Sequence, residues 1–139
     1  QGQIYDSQCI ARANAPYLST QRGVQSYLNL GINPKNLILG QPWYGYAYKC
    51  VQSDMDGNVT QAHICPLIPV ENRGVNCSDF YGSEIPYAEI MNFVFDLKWN
   101  TTEIRYDMTQ QSPYVNGLQH NNPTDLYQYW FENADSLSA

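Results

Sequence analysis

Charge is scarce in this 139-residue chain. Only 14% of its residues are Asp, Glu, Lys or Arg, and 7 cationic side chains face 13 anionic ones, for a formal net charge of −6. Nucleic-acid binding draws its affinity from a stripe of cations that neutralises phosphates, and the chain has no such stripe. Long apolar runs are missing too. No window approaches the ~18 consecutive apolar residues of a membrane-spanning helix. The chain opens on Gln1-Gly2-Gln3, without the basic and then apolar stretch of a signal segment. We therefore expect no nucleic-acid partner and no membrane insertion, and take any targeting peptide to be already removed. Histidine is limited to His63 and His120, and the four cysteines contain no Cys-x-x-Cys pair. The spacing of a zinc site is absent, and neither a metal nor a cofactor is expected.

What stands in place of charge is neutral polar surface. The chain holds 25 Asn plus Gln residues, and 12 Tyr against 4 Phe. Flat rings tipped with hydroxyls, set among amides, suit uncharged polyols such as sugars. The same composition occurs on secreted β-rich domains with no ligand, so composition alone does not separate the two. Cys9, Cys50, Cys65 and Cys77 form an even, irregularly spaced set that reads as two disulfides in an oxidising compartment. Four cysteines allow three pairings. Cys50 with Cys65 is preferred, because Asp54-Met55-Asp56-Gly57-Asn58 between them reads as a turn, which leaves Cys9 with Cys77. Asn58-Val59-Thr60, Asn76-Cys77-Ser78 and Asn100-Thr101-Thr102 each fit the N-glycosylation acceptor pattern, consistent with a secreted or lysosomal protein.

Along the chain, the apolar spacing predicts a helix over about Thr20 to Leu30, stopped by Gly31 with Pro34 beyond it. Asn36-Leu37-Ile38-Leu39-Gly40 is continuously apolar at its centre, as expected of a parallel strand covered on both faces. Pro42 cannot donate to a central ladder, so that strand should end near Gly40 or Gln41, with Trp43, Tyr44 and Tyr46 at its carboxyl end. Ala47 to Gly82 reads as an irregular, disulfide-tied insertion. Pro86 favours the first turn of a helix carrying Ile90, Met91 and Val94. Glu103 to Met108, Tyr114 to Gln119 around Asn116-Gly117, and Asp125 to Phe131 read as antiparallel strands with tight turns. Asn133 precedes the start of a further helix. One buried parallel strand cannot satisfy both of its edges from this chain. Either the chain is part of a larger protein or partners complete it, and a 139-residue molecule standing alone should form an oligomer or filament through its exposed sheet edges.

The run Cys9-Ile10-Ala11-Arg12-Ala13-Asn14-Ala15-Pro16-Tyr17 is followed by Ile32-Asn33-Pro34-Lys35-Asn36-Leu37-Ile38-Leu39-Gly40 and Pro42-Trp43-Tyr44-Gly45-Tyr46. Arg73-Gly74-Val75-Asn76-Cys77-Ser78-Asp79, Ile85-Pro86-Tyr87 and Tyr129-Trp130-Phe131-Glu132-Asn133 come next in order. Together they resemble the chitobiase-like members of glycoside hydrolase family 18 across nearly the whole chain. The resemblance implies an α/β fold, part of a (β/α)8 TIM barrel. Residues 1–46 would hold a helix and the seventh strand, 47–132 a disulfide-tied α+β insertion, and 133–139 the start of the next barrel helix.

Barrel enzymes work at the carboxyl ends of their strands, where Trp43, Tyr44 and Tyr46 fall. The resemblance implies that Tyr44 and Tyr46 line a site for N-acetylglucosamine oligosaccharides, with Trp43 behind them or else packed between strand and helix. The family's acid-bearing aspartate-x-aspartate-x-glutamate motif has no counterpart here, nor do its sixth-strand methionine-x-tyrosine-aspartate motif and eighth-strand tryptophan. No catalytic residue is therefore assigned, and the chain alone is expected to be inactive. Hydrolysis in the family uses the substrate's own acetamido oxygen in place of a protein nucleophile. The rival reading is a non-catalytic secreted glycoprotein module that binds sugar or self-assembles.

Other candidates have plainer roles. Arg73 and Asp79 read as a surface ion pair, Glu132 as a carboxylate at a helix start, and His63 and His120 as surface residues. Asp54, Asp56 and Asn58 lack the glutamate that closes a calcium loop.

Overall fold

The computed structural model describes residues 9–51, 63–72, 75–80, 82–96, 100–101, 103–119 and 122–137. For 71–72, 75–80, 100–101, 119 and 122–124 it describes the backbone alone. The elements in chain order are α1 (Tyr17–Asn29), β1 (Tyr44–Lys49), β2 (Pro69–Asn72), β3 (Val75–Phe80), β4 (Gly82–Pro86), α2 (Tyr87–Phe95), β5 (Asn100–Thr101), β6 (Arg105–Asp107), β7 (Ser112–Gln119), β8 (Asn122–Trp130) and α3 (Ala134–Leu137). An antiparallel sheet runs in the order β4-β1-β8-β7-β5, with β6 also on β7, and β2 and β3 pair separately.

α1 starts one turn earlier than its apolar spacing suggests and stops where glycine was expected to stop it. Gly31 adopts a φ of 81°, its N–H donates to Leu28 O at 2.9 Å, and Ile32 N–H donates to Tyr27 O at 3.2 Å. That pair of bonds satisfies carbonyls that the last turn would otherwise leave open, and only glycine reaches the left-handed conformation without a Cβ penalty. No residue of α1 is buried. Its exposed side, with the stretch after it, forms an open groove of about 560 Å³ lined by Val24, Tyr27, Leu37, Ile38 and Leu39.

The stretch from Asn36 to Gly40, expected as a strand, carries no ladder among the described residues. Asn36 closes a short 3-10 turn capped by Asn33, and Leu37-Ile38-Leu39 is extended but unpaired, with Ile38 97% exposed. A ladder needs neighbours on its edges, and no described strand lies beside this stretch. The regular strand begins instead at Tyr44, where alternation of half-buried and buried positions replaces the unbroken apolar run. β1 passes through the expected boundary between residues 46 and 47, and it pairs antiparallel on both sides. The stretch expected to be irregular therefore holds the end of β1, the β2–β3 pair and the start of β4. Asn116-Gly117, a pair common in turns, lies inside the expected strand, in β7 opposite Gln128 and Tyr127. The Asn116 amide is 1% exposed and accepts from Gln128 Nε2 at 3.1 Å, so a buried partner overrides its turn preference.

The sheet buries both faces. On one, Tyr46, Trp130 and Tyr114 stand directly opposite one another across β1, β8 and β7. They pack with Tyr48, Leu126, Ala11, Ala13, Cys50, Cys65 and Leu67. Ala11 N–H donates to Cys65 O at 2.9 Å and Leu67 N–H to Cys9 O at 2.7 Å, which lays the two crossing segments side by side over the sheet. Cys50 and Cys65 are bonded across a separation of 15 residues, as preferred from the turn between them. Cys9 is disulfide-bonded as well, and the side chain of Cys77 lies outside the described residues. On the other face Ala47, Ile85, Val115, Tyr129 and Phe131 meet Ile90 of α2. Full burial of a side chain such as Phe131 or Ile90 is worth roughly 1.5–3 kcal/mol.

Gly45 sets how closely the layers approach. A Cβ there would collide with the Trp130 carbonyl oxygen and Ile90 Cδ1. Replacing Gly45 with Ala should destabilise by about 1–3 kcal/mol through overpacking, read as a lower urea midpoint at unchanged slope. Equal midpoints would mean that α2 yields freely. Replacing Cys50 and Cys65 together with Ser should cost roughly 3 kcal/mol for a closed loop of this length, and a loss below about 1 kcal/mol in the same assay would contradict it.

Candidate functional site

The three aromatic residues expected to form one site are divided by the sheet. Neighbours in a strand point to opposite faces. Tyr44 and Tyr46 share the face of the Trp130 cluster, their rings edge to face with centroids 6.2 Å apart, and Tyr46 stacks on Tyr48 at 5.9 Å. Trp43, one position earlier, contacts Tyr87 of α2 at 5.7 Å, and Tyr87 packs with the opposite cluster. Trp43 is 75% exposed, which removes it from the strand–helix core considered for it.

Tyr44 and Tyr46 are half-buried, with rings braced by neighbours. Tyr48 is 5% exposed, and burial, with a smaller contribution from Tyr46, pushes its hydroxyl well above the usual phenol range. It is therefore a neutral packing ring. Gly82 makes room for it, since a Cβ at Gly82 would lie 2.6 Å from Tyr48 Cε1. Two polar or aromatic neighbours escape a linear reading. Tyr87 joins Trp43 only because Tyr44 pairs with Pro86, and exposed Glu84 stands directly opposite Tyr46. Their signal is the strand register, which the spacing of residues does not reveal.

Glu132 is buried and held, not poised. Its carboxylate accepts from Ser112 Oγ at 3.4 Å, and Ser136 and the Ala15 backbone favour its charged form. Desolvation is the larger influence and raises its pKa above the ordinary glutamate value, against the lowering by those three donors. Next to it, Asn133 Oδ1 accepts from the N–H groups of Asp135 and Ser136 at 3.1 and 3.0 Å, so the start of α3 is capped by Asn133. Glu132 ties α3, β7 and the segment before α1 together.

His63 lies at the surface, as read, and it has polar partners there. Its ring is largely exposed, yet Nδ1 lies 2.9 Å from the Tyr114 hydroxyl and Nε2 lies 3.2 Å from Asp107 Oδ2. The other carboxylate oxygen of Asp107 accepts from the N–H groups of Thr109 and Gln110 at 2.7 and 2.8 Å. Beneath, Trp130 Nε1 donates to Gln128 Oε1 at 2.7 Å, and Gln128 Nε2 donates to Asn116 Oδ1. Tyr114 is 3% exposed. This chain of polar groups braces the core.

Among the described residues no three His, Cys, Asp or Glu side chains cluster as metal ligands, and no helix is long and apolar enough to cross a membrane. His120, Asp54, Asp56, Asn58 and Arg73 lie outside the described residues, and the side chains of Asn76, Asp79 and Asn100 do too.

Residues 3–139 match the family described as Glycosyl hydrolases family 18. The chain is 38% identical over 139 residues to human di-N-acetylchitobiase, covering 99% of this chain and 33% of that protein. It is 40% identical to the di-N-acetylchitobiase of Rattus norvegicus, covering 99% and 34%. The chain thus spans about a third of the length of these curated relatives. Among solved structures it is similar to the Bacillus cereus spore cortex-lytic enzyme SleL, with a TM-score of 0.60 and 20% identity over 97% of this chain and 25% of that one. The Bacillus megaterium SleL superposes with a TM-score of 0.59 and 21% identity, covering 92% and 23%. These two likenesses speak to the fold alone.

The environment of Glu132 carries a pH signature. Because burial raises its pKa in the folded state, folding favours the protonated acid. That contribution is fully present below the ordinary glutamate value and is lost as pH rises through the folded one. Glu132→Gln should therefore gain stability relative to the original chain between pH 4 and pH 7 in parallel urea titrations. A relative loss over that interval would reverse the assignment.

Proposed function

The chain belongs to family 18 of the glycosyl hydrolases, and on that premise we propose that it is a portion of a chitobiase-like glycosidase hydrolysing N-acetylglucosamine-containing oligosaccharides. The observation that carries this reading is the 38–40% identity to di-N-acetylchitobiases along nearly its whole length. Catalysis is substrate-assisted and retaining. The sugar's acetamido oxygen attacks its own anomeric carbon, so a single enzyme acid suffices to protonate the leaving oxygen. That acid lies outside these 139 residues, and the chain's part is to bind. Tyr44 and Tyr46 present ring faces and hydroxyls to the sugar, with Trp43 at the same strand end.

In this reading Leu37 to Leu39 is the seventh strand of a (β/α)8 barrel. Its extended backbone, its apolar side chains and their exposure support that placement. The disulfide-tied sheet is the insertion that follows, and α3 begins the next barrel helix. Two disulfides and three sequons suit a lysosomal or secreted protein, glycosylated at Asn58, Asn76 or Asn100. The rival is a sugar-binding or self-assembling module without chemistry. It is favoured by one feature, the absence of the acidic motif from this chain.

The complete protein that carries this chain should release N-acetylglucosamine from di-N-acetylchitobiose, while the 139-residue chain alone should not. Binding without turnover by the complete protein would favour the rival. Tyr44→Phe in the complete protein should lower kcat/KM about tenfold, the scale of one lost hydrogen bond in a desolvated site. Unchanged kinetics would remove Tyr44 from the site.

A further inference from the structure

Glu132 is a buried titratable group that the sugar site described above does not use, and its burial is made within these 139 residues, by β7, α3 and the segment before α1. It follows Trp130 by two residues and lies on the same face. The pairing of β7 with β8 carries on past Trp130, where Phe131 N–H donates to Pro113 O at 3.3 Å, and this brings Ser112 opposite Glu132. On the other side of β8 runs β1, antiparallel, with Tyr46 opposite Trp130, so Tyr44 stands on that face at the same end of the sheet. The carboxyl of Glu132 thus closes the row from which Tyr44 and Tyr46 project.

One hydroxyl connects the proton of Glu132 to the packing of that end. Ser112 is 0% exposed, and its Oγ lies 3.0 Å from Phe131 O and 3.4 Å from Glu132 Oε1. A serine hydroxyl has a single proton to donate. When Glu132 is the neutral acid, that proton goes to the Phe131 carbonyl. When Glu132 is ionised, its carboxylate competes for the same proton, because bonds to charged acceptors are the stronger ones, and the Phe131 carbonyl loses its donor. Burial raises the pKa of Glu132 more than Ser136, Ala15 and Ser112 lower it, so the fold favours the neutral state. Asp107 of β6 stands opposite Ser112, but its carboxylate is already engaged by His63 and by the N–H groups of Thr109 and Gln110. Tyr106 of β6 and Asp135 of α3 share the surroundings: burial first, and then the charges of Glu132 and Asp135, raise the Tyr106 phenol.

We propose that Glu132 is a positioning residue for the sugar-binding end of the sheet, which as the neutral acid holds Tyr44 and Tyr46 in their binding arrangement and on losing its proton loosens it, so that sugar affinity falls between pH 4 and pH 7. This rests on the family 18 reading and deepens it by naming what regulates the site. The sign follows from the folded state's preference for the acid: its contribution is complete at the acid end of that range and is lost as pH rises.

The test uses the complete protein and sulfur-linked, non-hydrolysable di-N-acetylchitobiose, titrated by calorimetry from pH 4 to pH 7. Affinity should fall about fivefold more over that range in the original protein than in Glu132→Gln, the scale of a weak coupling between two sites. By reciprocity, binding should take up protons within the range, read from the dependence of the heat on the buffer, and Glu132→Gln should take up fewer. Ser112→Ala keeps the carboxyl and removes the shared hydroxyl, and should flatten the affinity profile as Glu132→Gln does, even where the latter folds poorly. Other groups of the complete protein titrate alike in all three, so the comparison cancels them. A merely structural role would weaken the variants evenly at every pH. A profile in either variant equal to that of the original overturns the proposal and leaves the family 18 reading standing, whereas no binding at any pH would overturn both.

Discussion

Tyr46 opposite Trp130 opposite Tyr114 is the register on which the rest of this structure depends. The three rings lie in one row across β1, β8 and β7, with Trp130 stacked on Tyr114 at 4.8 Å. A slip of one residue would turn every side chain of a strand to the other face, exchanging Trp130 for Tyr129 and Tyr46 for Gly45. Two devices hold the register. Gln128 Nε2 of β8 donates across the strand pair to Asn116 Oδ1 of β7, and Gly45 lets the Trp130 carbonyl approach where any side chain would collide. A buried amide left without its partner would cost about 1–3 kcal/mol, so this cross-strand bond favours the observed pairing over its neighbours.

The same register decides what the aromatic residues do. Along β1, alternation sends Tyr44, Tyr46 and Tyr48 to one face and Gly45 and Ala47 to the other. Tyr48 is covered by crossing segments that the Cys50–Cys65 disulfide anchors, while Tyr44 and Tyr46 lie nearer the open end. Position in the strand, not residue type, separates a packing tyrosine from one that can touch a ligand.

Stability is unevenly spread along the chain. The sheet has dense two-sided burial, whereas α1 and residues 37–39 have apolar side chains and little covering them. The relatives are about three times as long, and the family reading gives the exposed segment its neighbours. The helix and this stretch therefore draw little stability from the sheet, and helical segments rely on packing of an apolar face more than on their own propensity.

The amino-acid order by itself determined the family likeness, the Cys50–Cys65 bridge, the stop at Gly31, the start of α2 after Pro86, and strands near β6, β7 and β8. These rest on local chemistry: two cysteines close in sequence, a glycine that accepts a left-handed φ, a proline suited to a first turn, and side chains favoured on a pleated surface. Tertiary structure alone decided that Leu37 to Leu39 stays unpaired, that Asn116-Gly117 is strand and not turn, that His63 reaches Asp107 and Tyr114, and that Trp43 parts from Tyr44 to meet Tyr87. The last three depend on relations between residues 12 to 51 positions apart, which no local preference encodes.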